Sequence, residues 1–181
     1  MIVMKKKFLL SSITLALLYA TSTSSIQAKQ SVQQITISPK IAQTQQQMTS
    51  HKNSVEYLTS DETTSLNLPF SEAVRVGNML YLSGVLGNIP GKKQLVTGGI
   101  KAETKQTMEN IKRILSRHGS SLAQVVKCKV MLADMKEWGT MNEVYITYFS
   151  KDRLPARSAL GANSLALNAR VEIECLAIVN K

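Results

Sequence analysis

The clearest hydrophobic alternation in the chain lies near its end. From Arg170 to Val179, Val171, Ile173, Cys175 and Ala177 fall on one side of a strand, while Glu172, Glu174, Leu176 and Ile178 fall on the other. A second alternating run, Val125 to Leu132, places Val126, Cys128, Val130 and Leu132 on one face. Shorter strand-like runs cover Val55–Thr59, Glu72–Val76 and Met79–Ser83, and Gly77-Asn78 between the last two is a two-residue hairpin signal. Gly84, Gly87, Pro90, Gly91, Gly98 and Gly99 punctuate a long loop. The period then changes. Thr104, Met108, Ile111 and Leu115 recur at helical spacing over Lys101–His118, with Gly119 as the stop. Asp134 and Glu137 form a capping pair for a second helix. Its apolar stripe, Trp138, Met141, Tyr145, Tyr148 and Phe149, reads as core packing, and Lys151–Pro155 ends it. Ala156–Leu160 is the strand before the last.

The predicted order is βββ-α-β-α-ββ, an α+β domain with helices on one face of a mixed sheet. The other face carries Leu176 and Ile178 beside two glutamates. Such a mixed face predicts a subunit interface with a site inside it.

The N-terminus departs from this pattern. Lys5-Lys6-Lys7, the apolar run Phe8–Ala20 and the small-residue tract ending at Ala28 read as a cleavable signal over residues 1–28. The run is short for a membrane anchor, which needs roughly 20 apolar residues. Residues 29–54 are rich in Gln, Ser and Thr and read as a flexible leader. The folded domain is then 55–181, in an exported protein, periplasmic or secreted, with no stable membrane anchor after cleavage.

Removing residues 1–28 takes away three lysines and no acid, so the formal charge falls by three from +10. No basic run with interleaved aromatics lies outside the signal, so no nucleic-acid partner is expected. His51 and His118 stand far apart without ligand-spaced neighbours, so no metal site is expected. An exported compartment permits a bond between Cys128 and Cys175. Both sit in apolar strand runs, however, where a buried free thiol also fits, so the residues leave bridge and free thiols open.

The candidate chemistry lies in Pro155-Ala156-Arg157-Ser158 and Val171-Glu172-Ile173-Glu174. An arginine fork can hold both oxygens of a small carboxylate. A carboxylate in a partly dry cleft has its pKa raised towards the working pH and can activate water.

These segments resemble the RidA/YjgF family of imine and enamine deaminases. The likeness also runs through Pro69–Asn78, Leu80–Gly84, Gln106–Lys112, Val125–Lys127, Leu132–Met135, Asn142–Tyr145 and Tyr148-Phe149. The resemblance implies a chorismate-mutase-like two-layer domain forming a homotrimer, with sheets facing an inner barrel and active sites in the clefts between subunits. It implies hydrolysis of 2-imino acids to 2-keto acids and ammonia, without cofactor or metal. The partners are then the small-molecule 2-imino or 2-keto acid and the chain itself.

By the same resemblance, Arg157 binds the substrate carboxylate and Glu172 activates the water. Gly84 and Ala159 approach the ligand through their backbone, and Asn142, Glu174 and Phe70 complete the binding set. Three positions depart from the family pattern: Phe70 replaces a common tyrosine, Val85 a frequent glutamine and Ala159 a frequent cysteine. Two rival readings are a non-catalytic trimeric binder of small carboxylates and an RNA-acting relative.

Overall fold

The computed structural model describes residues 54–179. The signal, and the leader up to residue 53, lie outside the described residues. The elements in chain order are β1 (Val55–Leu58), α1 (Asp61–Ser65), β2 (Ala73–Val76), β3 (Met79–Leu82), β4 (Val85–Leu86), α2 (Gly99–Arg117), β5 (Val125–Leu132), α3 (Trp138–Tyr145), β6 (Ala156–Gly161) and β7 (Val171–Ile178). The strands form one sheet in the order β1-β2-β3-β7-β5-β6, with the short β4 also paired to β7. Only β5–β6 is parallel; the other pairings are antiparallel. Helices and sheet make the α+β architecture read from the pattern, with α1 and β4 as additions too short to carry a period.

Strand β7 is central, and its alternation is realised residue by residue. Val171, Ile173, Cys175 and Ala177 are buried under the helices, whereas Glu172, Glu174, Leu176 and Ile178 are half-buried on the open face. Helix α2 lays Ile100, Thr104, Met108, Ile111 and Leu115 onto that core. It stops where Gly119 takes φ 77°, a left-handed conformation that costs glycine little.

Three expectations are corrected. Val126 is 38% exposed and Val125 is buried, because a bulge between Val125 and Lys127 resets the alternation of β5. Trp138 is 42% exposed, so the stripe of α3 is core only from Met141 onwards. Asp134 caps a single 3-10 turn, accepting from the Lys136 amide at 2.9 Å, while Glu137 pairs with Arg170 instead of closing a capping box.

The structure decides between the two states of the cysteines. Cys128 and Cys175 face each other across β5 and β7 with Cα atoms 4.1 Å apart, and they are joined in a disulfide. Alternation placed both on the buried face but could not reveal that the register sets them opposite.

A buried ion cluster fastens α1 to the sheet. Glu72, 6% exposed, accepts from Arg117 at 2.7 Å, Thr63 at 2.7 Å and Ser60 at 3.0 Å, and bonds His118 Nε2 at 2.6 Å. Burial raises the proton affinity of this carboxyl. The hydrogen bonds from Arg117, Thr63, His118 and Ser60 outweigh that and hold its pKa below the usual value. Glu62 extends the cluster to Arg113 at 2.9 Å.

The disulfide closes a sequence separation of 47 residues. In the chain-entropy account, a loop of that length is worth about 4 kcal/mol. Denatured, unreduced protein is expected to take up no thiol reagent. The Cys128→Ala/Cys175→Ala double variant is expected to lose about 2–4 kcal/mol in denaturant unfolding. Two titratable thiols in the unreduced chain would overturn the assignment.

Candidate functional site

The glutamate half of the site is built by β7 and the loop after β3. Leu86 of β4 pairs with Glu172, which brings Gly84 against the glutamate side chain. A Cβ at Gly84 would lie 1.8 Å from Glu172 Oε1, so any larger residue there would push the glutamate carboxyl out of its present position. Ser83 anchors the loop: its amide donates to Glu72 O at 3.1 Å and its hydroxyl to Ser71 O at 2.7 Å. Phe70, half exposed, lines a cavity of about 140 Å³ together with Ser83, Gly84 and Leu86.

Among the described residues, the Glu172 carboxyl has neither an ion-pair nor a hydrogen-bond partner. Glu174 lies on the same face and is paired with Lys129 Nζ at 2.6 Å. Burial, and then the charge of Glu174, push the Glu172 carboxyl above the usual range. A carboxylate without partners and with raised proton affinity can take a proton from water and return it.

The arginine half is built by β6 and α3. Trp138, Asn142 and Tyr145 stand at i, i+4 and i+7, which places them along one face of α3. That face meets Arg157. Its guanidinium carbon lies 4.9 Å from the Tyr145 ring centroid and 5.9 Å from that of Trp138, and Nη1 donates to Asn142 Oδ1 at 2.7 Å. No carboxylate pairs with Arg157 among the described residues, so most of its N–H donors remain free for an anion. Tyr145 is buried and packs on Phe149 at 5.0 Å, which fixes the platform. Burial pushes its phenol up to about 12, opposed by the Arg157 charge, so the ring stays neutral. A cavity of about 320 Å³ opens beside Arg157, lined by Asn142, Tyr145, Ile146, Leu154 and Pro155. Ala159 lies two residues on along β6, half-buried against the core, so only its backbone is free to meet a ligand.

The two halves do not meet within one protomer. Arg157 is in register with Cys128, and Cys128 with Cys175, on the helix-covered face; Glu172 pairs with Met131 on the open face. Two strand spacings and three residues of rise put the Arg157 and Glu172 Cα atoms about 14 Å apart, on opposite faces. A small acid cannot touch both. The structure thus groups Glu172, Glu174, Gly84 and Phe70 in one half, and Arg157, Asn142 and Ala159 in the other. Tyr145 is core, as its stripe implied, and Trp138 is not; the approach of both rings to Arg157 has no counterpart in the sequence reading. The available signal was their spacing around Asn142.

The family described as Endoribonuclease L-PSP matches residues 62–179. The 2-iminobutanoate/2-iminopropanoate deaminase of Mus musculus is 46% identical over 110 residues, 61% of this chain and 81% of that protein. The human protein of the same name is 43% identical over 110 residues, 61% of this chain and 80% of its own length. Among solved structures, RidA from the Antarctic bacterium Psychrobacter sp. PAMC 21119 superposes with a TM-score of 0.63 at 36% identity. That match covers 68% of this chain and 99% of the other.

The electrostatics of the glutamate pair can be tested without any substrate. Glu174→Gln removes the like charge beside Glu172, so the Glu172 titration midpoint is expected to fall. It should stay above the ordinary value of about 4.3, because burial remains. Carboxyl-carbon NMR shifts across a pH series measure this directly. A midpoint unmoved by Glu174→Gln would remove Glu174 as a cause.

Proposed function

The chain belongs to the Endoribonuclease L-PSP family, the RidA/YjgF proteins, and from that premise we propose that it hydrolyses 2-imino acids, and their enamine tautomers, to 2-keto acids and ammonia. The observation that carries the reading is Arg157, held in place by Tyr145 and Asn142 yet unpaired with any carboxylate among the described residues. The deaminase names of relatives at 43–46% identity support the same chemistry.

In this mechanism the Arg157 fork binds the substrate carboxylate and orients the adjacent C=N carbon. Glu172 takes a proton from water as the oxygen attacks C2, giving a tetrahedral carbinolamine. The proton passes to nitrogen, the C–N bond breaks, ammonia leaves, and the carbonyl forms. A carboxyl with raised pKa suits both halves of this transfer.

Since the two residues lie on opposite faces of one protomer, the reading requires a second copy of the chain, which we place in a homotrimer. The open sheet face supports this. Tyr57, Val74, Tyr81 and Leu176 form one cross-strand row on it, and Tyr57 and Tyr81 are largely exposed. Export of the domain from about Lys29 onwards belongs to the same proposal. It is supported by the pattern of residues 1–28 and by a disulfide, which persists in oxidising compartments. Intact mass of protein from the exported fraction should begin near Lys29; a cytosolic chain beginning at Met1 would overturn export.

Arg157→Ala is expected to weaken 2-ketobutanoate binding by about ten- to a hundredfold, as loss of charge-assisted hydrogen bonds worth about 1.5–3 kcal/mol implies. Lysine should rescue only in part. Glu172→Gln should retain ketoacid binding and lose about 10²–10⁴ in kcat. Refolding the two inactive variants together should restore activity, because mixed assemblies contain clefts with one intact Arg157 and one intact Glu172. Failure of complementation would remove the shared site. Wild-type protein that binds ketoacids through Arg157 without turnover would leave a carboxylate-binding trimer.

A further inference from the structure

We infer that Trp138 determines specificity, and that its indole selects acids with branched or aromatic side chains over those with a methyl group. The inference rests on the deaminase reading for its substrate class, though not for its test.

Trp138 stands at the start of an amphipathic helix, where burial would be the ordinary fate of an indole. It is instead 42% exposed, with its centroid 5.9 Å from the Arg157 guanidinium carbon. Tyr145 supports the same guanidinium from within the core. Trp138 flanks the same cation with an apolar surface that is partly open to solvent.

Ligand geometry supplies the next step. In a 2-imino acid, C2 is bonded to the carboxyl carbon, and the first side-chain carbon is bonded to C2. A carboxylate held by Arg157 therefore carries its side chain within reach of the neighbouring indole. Beside Arg157, Ile146, Leu154 and Pro155 line the cavity of about 320 Å³, and among its described lining residues Arg157 alone is charged. A methyl group would leave this surface wet, while a branched or aromatic side chain would cover it. Burying apolar area is worth about 25 cal/mol per Å², and one methylene changes affinity by roughly tenfold in a shaped pocket.

Trp138 is also the chain's only tryptophan, so its fluorescence reports on the site directly. Wild-type protein should show fluorescence quenching by 4-methyl-2-oxopentanoate and by pyruvate, with the first binding about tenfold or more tighter. Calorimetry supplies the same ratio for Trp138→Ala, which should fall near one, and for Trp138→Phe, which should keep most of it. The exposed position should leave the unfolding midpoint of both variants close to wild type. Where turnover is present, the kcat/KM ratio for imines generated in situ from leucine and from alanine should follow the binding ratio.

Equal affinity for the two ketoacids in wild type, or an equal loss of both in Trp138→Ala, would overturn the inference. Selective ketoacid binding without deamination would overturn the proposed reaction and leave Trp138's selectivity standing.

Discussion

The alternation of β7 is the constraint on which the remaining features depend. It is the central strand, with β3 and β4 on one side and β5 on the other. One set of its side chains closes the core under α2 and carries half of the disulfide. The other set presents Glu172, Glu174, Leu176 and Ile178 to the open face. A strand with period two cannot turn Glu172 towards the face that Arg157 occupies without turning the core outwards. The separation of the two half-sites is therefore a consequence of burying β7, and the proposed deaminase requires a second chain for the same reason.

Two glutamates of this chain show how surroundings rather than residue type set proton affinity. Glu72 and Glu172 are both withdrawn from water. Glu72 is surrounded by donors from α1 and the end of α2, and its pKa is held low. Glu172 faces a glycine and a second glutamate, and its pKa is raised. The first is suited to permanent charge and to fastening elements together; the second is suited to exchanging a proton. They are also connected. The Glu72 carbonyl accepts from the Ser83 amide, and Ser83 precedes the glycine that packs on Glu172. The residue that centres the ion cluster thereby also anchors, through its backbone, the loop that packs on Glu172.

The arginine half works by a different principle. Its cation is neutralised by no protein carboxylate among the described residues. An aromatic ring and an amide oxygen hold it instead, and these orient the fork without occupying all its donors. An ion pair at this position would occupy the donors that remain free here.

Much of this was legible in the residues themselves. Period-two and helical runs located β2, β3, β5, α2, β6 and β7, because apolar spacing is set by local backbone geometry. Arg157 and Glu172 stand out in the sequence as candidates because few residue types can grip a carboxylate or shuttle a proton. The tertiary structure decided what depends on contacts distant in sequence. The register of β5 on β7 bonded Cys128 to Cys175, and a bulge exchanged Val126 for Val125 in the core. The face on which β6 presents Arg157 set its guanidinium against the buried Tyr145 ring and against Trp138, which lies outside the core. The fold also set Arg157 and Glu172 on opposite sides of one sheet. Spacing along a chain fixes which face of its own element a residue occupies; only the pairing of elements decides what that face meets.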